Sequence, residues 1–265
     1  MHARVIGVQR LTPAMVRLTL GGDDLAAFTM PDATDAYINV AIPPAGAPYD
    51  AVFDPAQVRA EHPQHHWPAR RRYTVRDWDA VSRVLTVDFV VHGEGVAGDW
   101  AAAAEPGSVL VFEGPSGGYR PDVTADWHLF VGDESALPAI AASLEAVPAG
   151  VLAIVRLVCD GPTHEVELSS PGLLDVTWLH RTGSPEDADL LALSLRDLTF
   201  PRGRVHAFVH GEADEIRAVR SHLLAERGLS RADMSCSPYW RREMTDEAWR
   251  LVKRDFVAAM EAEVA

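Results

Sequence analysis

Trp127-His128-Leu129-Phe130-Val131-Gly132-Asp133-Glu134-Ser135-Ala136-Leu137-Pro138-Ala139-Ile140 is the stretch from which the fold is read. Trp127 to Val131 is a compact apolar strand. Gly132 to Ser135 turns the chain, and Ala136 to Val147 follows as a helix with Leu137, Ile140, Ala141 and Leu144 on one face. Pro138 is compatible with that helix because it falls in the first turn. A strand that turns directly into a helix opens a crossover unit, and the pattern repeats downstream. Val151 to Val158, Asp175 to Leu179 and Arg204 to Val209 read as strands. A helix near Ala213 to Glu226 places Ile216, Val219 and Leu223 inward. Strands alternating with helices predict a parallel sheet in an α/β domain.

Upstream of this stretch the pattern is different. Val16-Arg17-Leu18-Thr19-Leu20 alternates apolar and polar residues, as a half-buried strand does. Tyr37 to Ile42, Tyr73 to Val75, Val84 to His92 and Val109 to Phe112 continue the series. Gly21-Gly22, Gly46, Pro106-Gly107, Gly114-Pro115 and Gly117-Gly118 punctuate it. Short strands separated by such turns predict a barrel or a sandwich. Pro43 to Pro68 is expected to be a long loop or a short inserted helix. The division between the two patterns is placed near residues 122–125. After it the chain gives an α/β domain over 125–238 and a C-terminal segment over 239–265. In that segment Thr245 is an N-cap, Asp246 and Glu247 suit the positive end of a helix, and Ala248, Val252, Phe256 and Ala259 form its stripe.

The chain has 265 residues, 48% of them hydrophobic, a formal net charge of −14 and a pI near 5.1. An acidic surface of this kind argues against nucleic acid or anionic lipid as a general partner. Basic residues are clustered instead, at Arg70-Arg71-Arg72, at Arg241-Arg242 and at Lys253-Arg254. Cys159 and Cys236 are too few for an all-thiolate iron–sulfur cluster or a four-cysteine zinc site, and two free thiols are expected. No apolar run is long enough to span a bilayer, and Met1-His2-Ala3-Arg4-Val5 lacks the apolar core of a secretion signal. A cytoplasmic, monomeric protein is expected.

Two segments carry chemistry. Arg71-Arg72-Tyr73-Thr74-Val75-Arg76 combines cations, an aromatic ring and a hydroxyl. On a strand, Arg71 and Tyr73 share one face and Arg72 and Thr74 the other. Arg71 can pair with a pyrophosphate, Tyr73 can stack on a flat heterocycle, and Thr74 can hydrogen-bond its edge. His92-Gly93-Glu94-Gly95-Val96-Ala97-Gly98-Asp99-Trp100 follows about twenty residues later. Its glycines let backbone N–H groups approach an anion, and a helix starting near Ala97 would point its N-terminus at the same group. Trp100 is a core or an adenine-side aromatic. Together the two segments point to a flavin nucleotide, and so to electron transfer.

With these residues in view, the chain resembles the siderophore-interacting protein family, flavin-dependent ferric-siderophore reductases of the ferredoxin–NADP reductase-like superfamily. The resemblance runs nearly end to end. It rests on Arg71 to Arg76, on His92 to Gly95 with Ala97 and Trp100, on Pro106-Gly107 and on Gly114 to Gly117. It continues through Gly132 to Ile140 and Gly211-Glu212-Ala213, and closes with Tyr239-Trp240-Arg241-Arg242. It implies an antiparallel FAD-binding β-barrel over residues 1–122, then a parallel-sheet nicotinamide-binding α/β domain and a C-terminal helix. FAD contacts are implied for Arg71, Tyr73, Thr74, Val75 and Arg76, with Val91, His92, Gly93, Gly95, Val96, Ala97 and Trp100. Gly132, Asp133, Glu134, Ser135 and Ala136 are implied on the side of the NADH or NADPH donor. Tyr239 and Trp240 are implied to return toward the flavin. The family usually has glycine before the Tyr-Trp pair and often after the arginines, where this chain has Pro238 and Glu243.

The activity implied is hydride transfer from NAD(P)H to FAD and then reduction of a ferric siderophore. A ferredoxin is the alternative donor. No resident metal site and no nucleophile or general base is required of the chain. Arg241, Arg242, Lys253 and Arg254 are the candidates for drawing in an anionic ferric complex. Arg156 and Arg181 are the candidates for a nucleotide 2′-phosphate. His62, His65 and His66 are a weaker metal reading, because Pro63 and Pro68 disfavour one helical face. A siderophore-binding flavoprotein without turnover and a general diaphorase remain as alternative functions.

Overall fold

The computed structural model describes residues 1–91, 93 and 95–263, and its chain divides into two compact units, residues 1–119 and 120–265. Each is described by itself.

The first unit is a closed antiparallel barrel of six strands: β1 (His2–Thr12), β2 (Met15–Gly21), β3 (Tyr37–Ile42), β4 (Ala69–Asp79), β5 (Val84–Val90) and β6 (Val109–Ser116). Their order round the barrel is β1-β2-β5-β4-β3-β6. Val5, Val16, Leu18, Leu20, Ile38, Val40, Leu85, Val87, Phe89, Leu110 and Phe112 fill the interior. Alternation along β2, β3 and β5 supplies them, as a period of two requires. The sequence reading omits β1. Its eleven residues carry five arginine, histidine, glutamine or threonine side chains, and only one end presents an apolar face. Tertiary pairing with β2 and β6 makes it a strand. The Pro43 to Pro68 stretch holds a short helix, α1 (Pro55–Glu61), whose N-cap Asp54 accepts from Ala56 N and Gln57 N. Between β5 and β6 lies α2 (Val96–Ala103).

The second unit is a five-stranded parallel sheet of β7 (Trp127–Asp133), β8 (Leu152–Cys159), β9 (Leu173–His180), β10 (Val205–Glu212) and β11 (Met234–Trp240). Its helices are α3 (Leu137–Glu145), α4 (Leu190–Arg196), α5 (Ala213–Ser221) and α6 (Asp246–Ala262). The order is β11-β10-β7-β8-β9. The chain therefore grows in one direction from β7 to β9, then crosses back to place β10 on the other side of β7. This reversal creates a switch point between β7 and β10, where ligands of open parallel sheets bind at the carboxyl ends of the strands. Every residue of β7 is buried, so its near-continuous apolar run is that of a central parallel strand.

One boundary is corrected. Tyr239 and Trp240 do not open a separate C-terminal segment; they end β11, in parallel register with β10. Pro238 hides this strand from a sequence reading because proline is normally confined to edge strands, and β11 is such an edge. Pro238 sits opposite Gly211. Glu243, where the family often has glycine, has φ 60°, a left-handed conformation that glycine adopts without steric cost.

Candidate functional site

Within the barrel, the register of β3 with β4 sorts the arginine-tyrosine-threonine run. Ile38 pairs with Tyr73 and Val40 with Arg71, whereas Tyr37 pairs with Thr74 and Asn39 with Arg72. Arg71 and Tyr73 thus share a face with core residues, and Arg72 and Thr74 the opposite one. The Tyr73 ring lies 4.2 Å from that of Phe89, and Phe89 lies 6.2 Å from Trp100. This aromatic series ties β4, β5 and α2 together. It brings the strand that carries the Arg71–Arg76 run next to α2. Trp100 is half-buried against the core. Arg72 stacks over Tyr37 at 5.3 Å, and Arg70 is paired to Glu113 on β6.

Val75 is a core residue, and its N–H is already given to Ala36 O at 2.7 Å. Arg76 falls at a register shift between β4 and β5. The Val91 N–H donates to Ala14 O. Of the following turn, His92 lies outside the described residues. Gly93 has φ 78° with open space where a Cβ would stand. Gly95 is the N-cap of α2 and makes no side-chain cap hydrogen bond to the first N–H groups of that helix. Val96 is exposed and Ala97 is buried in the core. Gly98 has no room for a side chain, since a Cβ there would sit 2.7 Å from Val90 O. That contact seats the start of α2 directly on the end of β5. The result is a helix N-terminus whose N-cap, a glycine, has no side chain to offer its first donors, the kind of end at which an anion can bind.

In the second unit the switch point is built around Asp133, which is 1% exposed. One carboxylate oxygen accepts from Ser135 N, Ser135 Oγ and Ala136 N. The other accepts from Glu212 N at 2.9 Å and from Trp240 Nε1 at 2.7 Å. One side chain therefore joins the ends of β7, β10 and β11. Gly132 and Gly211 make this possible by close approach: a Cβ on Gly132 would lie 2.5 Å from His210 O, and one on Gly211 2.9 Å from Asp133 Oδ2. Gly132 and Ala136 serve packing here. Glu212 caps α5 through Asp214 N and Glu215 N, and accepts from Arg242 N.

Glu215 lies deeper, 1% exposed and paired with Arg242, with Arg181 Nε 4.0 Å away. Burial, helped by the Asp133 charge, pushes its carboxyl up to about 8 against the pull of both arginines. Burial likewise raises Glu134. Arg181 Nη1 donates to Glu134 at 2.8 Å and to Asp160 at 3.0 Å. Arg181 Nε and Nη2 and Glu215 Oε2 are buried without a hydrogen-bond partner among the described residues. Tyr239 meets the His210 ring edge-on at 5.0 Å, and that ring stacks on Phe208 at 3.8 Å. Burial pushes His210 down to about 3, with the Lys253 charge acting in the same direction, so the ring is neutral near pH 7.

The proposed capture residues fare differently. Arg242 belongs to the Glu215 pair. Arg241 lies 3.6 Å from Asp214 and over the Phe256 ring. Arg254 has a side chain 96% exposed. Residues 62, 65 and 66 form an aromatic pile, His65 on His66 at 4.1 Å and His62 against Tyr49 at 5.6 Å. No cluster among the described residues has the arrangement of a metal site. Cys159 and Cys236 are free thiols, and burial pushes Cys236 up to about 12. No helix of the described residues is long and apolar enough to cross a membrane.

Sequence reading missed Glu215 and the linking role of Asp133. The signal present was local: Gly211-Glu212 closes β10 and Ala213-Asp214-Glu215 opens α5. Nothing local says that Glu215 turns inward beside Ile216.

Residues 4–119 match the family model described as the siderophore-interacting FAD-binding domain, and residues 125–243 match that of the siderophore-interacting protein. The ferric vibriobactin reductase ViuB of Vibrio cholerae is 36% identical over 89% of this chain and 87% of its own length. The NADPH-dependent ferric-chelate reductase of Escherichia coli is 29% identical over 84% of this chain and 86% of its own. A crystal structure of a siderophore utilization protein from T. fusca superposes with a TM-score of 0.79 at 37% identity, covering 93% of this chain and 94% of that one. A relative of that identity, matched over most of both chains, together with two family models that share out most of this sequence, places the chain in the siderophore-interacting protein family.

Proposed function

We propose that this chain is an FAD-dependent reductase of ferric siderophores that draws its electrons from a reduced nicotinamide nucleotide. We assign FAD to residues 1–122 and the nucleotide to the parallel sheet from residue 125 through β11. The observation that carries the reading is the start of α2. Its N-cap, Gly95, offers the first N–H groups no side chain, Gly93 has open space where a Cβ would stand, and Gly98 seats the helix on β5. The Arg71–Arg76 run stands alongside, so the residues present fit an anionic flavin nucleotide.

In that reading Arg71 and Arg76 offset the charge of the diphosphate, and the N–H groups after Gly95 bind it. Tyr73, braced by Phe89, offers one aromatic face. Thr74 supplies a polar group from the opposite side of the strand. The chemistry FAD would supply when bound is acceptance of one hydride and release of its two electrons one at a time, so the chain needs no nucleophile or base. The switch-point residues Asp133 and Glu212 hold the ends of β7, β10 and β11 at fixed spacing for the nucleotide. Ferric iron is the substrate and arrives in the siderophore's own oxygen ligands. Reduction weakens that hard-ligand hold, and the chain need supply no ligand of its own. Relatives named as ferric-siderophore and ferric-chelate reductases support the reading. A ferredoxin remains the alternative donor, against which the net charge of −14 works if that partner is itself acidic.

The test is production of ferrous ion, trapped by a ferrous-selective chelator, from flavin-loaded protein, NADH or NADPH and a ferric catecholate. Siderophore binding without trapped ferrous ion would reduce the protein to a binder. Rapid reduction of quinones with no ferrous ion would make it a diaphorase.

A further inference from the structure

Among the described residues, most donors at the outer end of the parallel sheet are already given to this chain's own oxygens, and the two Arg181 nitrogens that make no hydrogen bond, Nε and Nη2, are buried. Arg181 follows β9 directly and is 14% exposed; its Nη1 is shared between Glu134 and Asp160, with Glu215 4.0 Å from Nε. The next residues are spent as well. Thr182 N and Oγ1 and Gly183 N all donate to the buried Asp187, at 2.8 to 3.1 Å. Ser184 Oγ donates to Glu186 and accepts from Glu186 N. Arg156 offers no substitute, because its Nη1 donates to Val155 O, Asp175 O and Asp175 Oδ1 within the sheet.

We propose that the nucleotide site of this chain discriminates against a 2′-phosphate, favouring NADH over NADPH, and that the Glu134 and Asp160 contacts on Arg181 and the Asp187 contacts on residues 182–183 are the determinants. This rests on the assignment of the nucleotide to the parallel sheet. A 2′-phosphate placed here would add two negative charges among Glu134, Asp160, Glu186 and Asp187, opposed by one arginine that is already shared. Like charges brought together at a binding site disfavour the wrong ligand without requiring any new contact to the right one. A free 2′-hydroxyl brings no such charge and loses nothing. The E. coli relative at 29% identity is named NADPH-dependent, so the inference is confined to this chain and is not extended to the family.

The experiment is calorimetric titration of the flavin-loaded, oxidised protein with ADP-ribose and with 2′-phospho-ADP-ribose, at low salt. ADP-ribose is expected to bind at least about tenfold more tightly, a difference of about 1.4 kcal/mol. Asp160→Asn, at an exposed position, is expected to tighten the 2′-phosphorylated ligand about threefold and to leave ADP-ribose unchanged. Glu134→Gln serves as the second variant, with the same direction expected. Equal or tighter binding of the 2′-phosphorylated ligand to the unaltered protein would overturn the inference while leaving the nucleotide assignment standing. A preference that neither variant moves would overturn the assigned determinants. Binding of neither ligand up to millimolar concentration would remove the nucleotide assignment, and this inference with it.

Discussion

At the scale of single residues, the second unit depends on carboxylates with unlike environments. Asp133 takes five donors from three parts of the chain. Asparagine keeps one acceptor oxygen and turns an amide toward donors on the other side. Asp133→Asn should lower stability by about 2 to 3 kcal/mol in urea denaturation, the cost of buried donors left unsatisfied. Unchanged stability would mean that this side chain does not join β7, β10 and β11. Glu215 is the reverse case. Its pKa in the folded chain, near 8, is above its ordinary value of 4.5. The folded chain therefore holds a proton that the unfolded chain has released. The stability from this group is full below about pH 4.5 and is lost as pH rises through about 8. Glu215→Gln should flatten the fall in stability between pH 5.5 and 8, measured by denaturation at both. An equally steep fall in the variant would place the titrating group elsewhere. Neither role was legible in sequence. Asp133 reads as the acid of a strand-to-helix turn, and its bond to Ser135 fits that reading, but partners 79 and 107 residues away leave no local trace. Arg71 to Thr74 was legible, because alternation alone sorts their faces.

Among the elements, α2 decides whether the barrel has an anion site at all. The glycine turn was plain in the sequence, but which glycine does what was not. Gly93 supplies the turn and Gly98 the close packing on Val90 O. Gly98→Ala forces α2 away from β5, because backbone cannot yield as a flexible side chain does. The expected result is a loss of about 1 to 3 kcal/mol in stability and, with the helix N-terminus displaced, weaker FAD binding in a fluorescence titration. Unaltered flavin affinity would separate α2 from the cofactor. The apolar core strands were legible because their period or continuity is set by burial. β1 and β11 were not: the first is polar along most of its length and the second contains Pro238. Pairing with neighbours makes both of them strands.

For the molecule as a whole, net charge and local charge oppose each other. A field of −14 repels an anionic ferric complex, so capture depends on cations that reach into solvent. Arg242 is held against the buried Glu215 and Arg241 lies 3.6 Å from Asp214, whereas Arg254, 3.8 Å from Asp255, has a side chain 96% exposed. Arg254→Glu should raise the KM for an anionic ferric siderophore about threefold at low salt, with the effect disappearing near 0.5 M salt, where charges are screened within a few ångströms. A KM that does not change at low salt would remove Arg254 from substrate capture. The two-part organisation was legible, since the change from alternating strands to strand-helix repeats falls between residues 119 and 127. The switch point was not, because strand order is a property of the folded sheet. Electrons that pass through a flavin held by this chain to ferric iron change the flavin's colour at each step. The most direct measurement is the visible spectrum of the FAD-loaded protein without oxygen, taken before and after a nicotinamide nucleotide and again after a ferric siderophore. The flavin bands are expected to bleach with the nucleotide and return with the ferric complex. A flavin that never binds, or that stays bleached when the ferric complex arrives, would contradict this electron path.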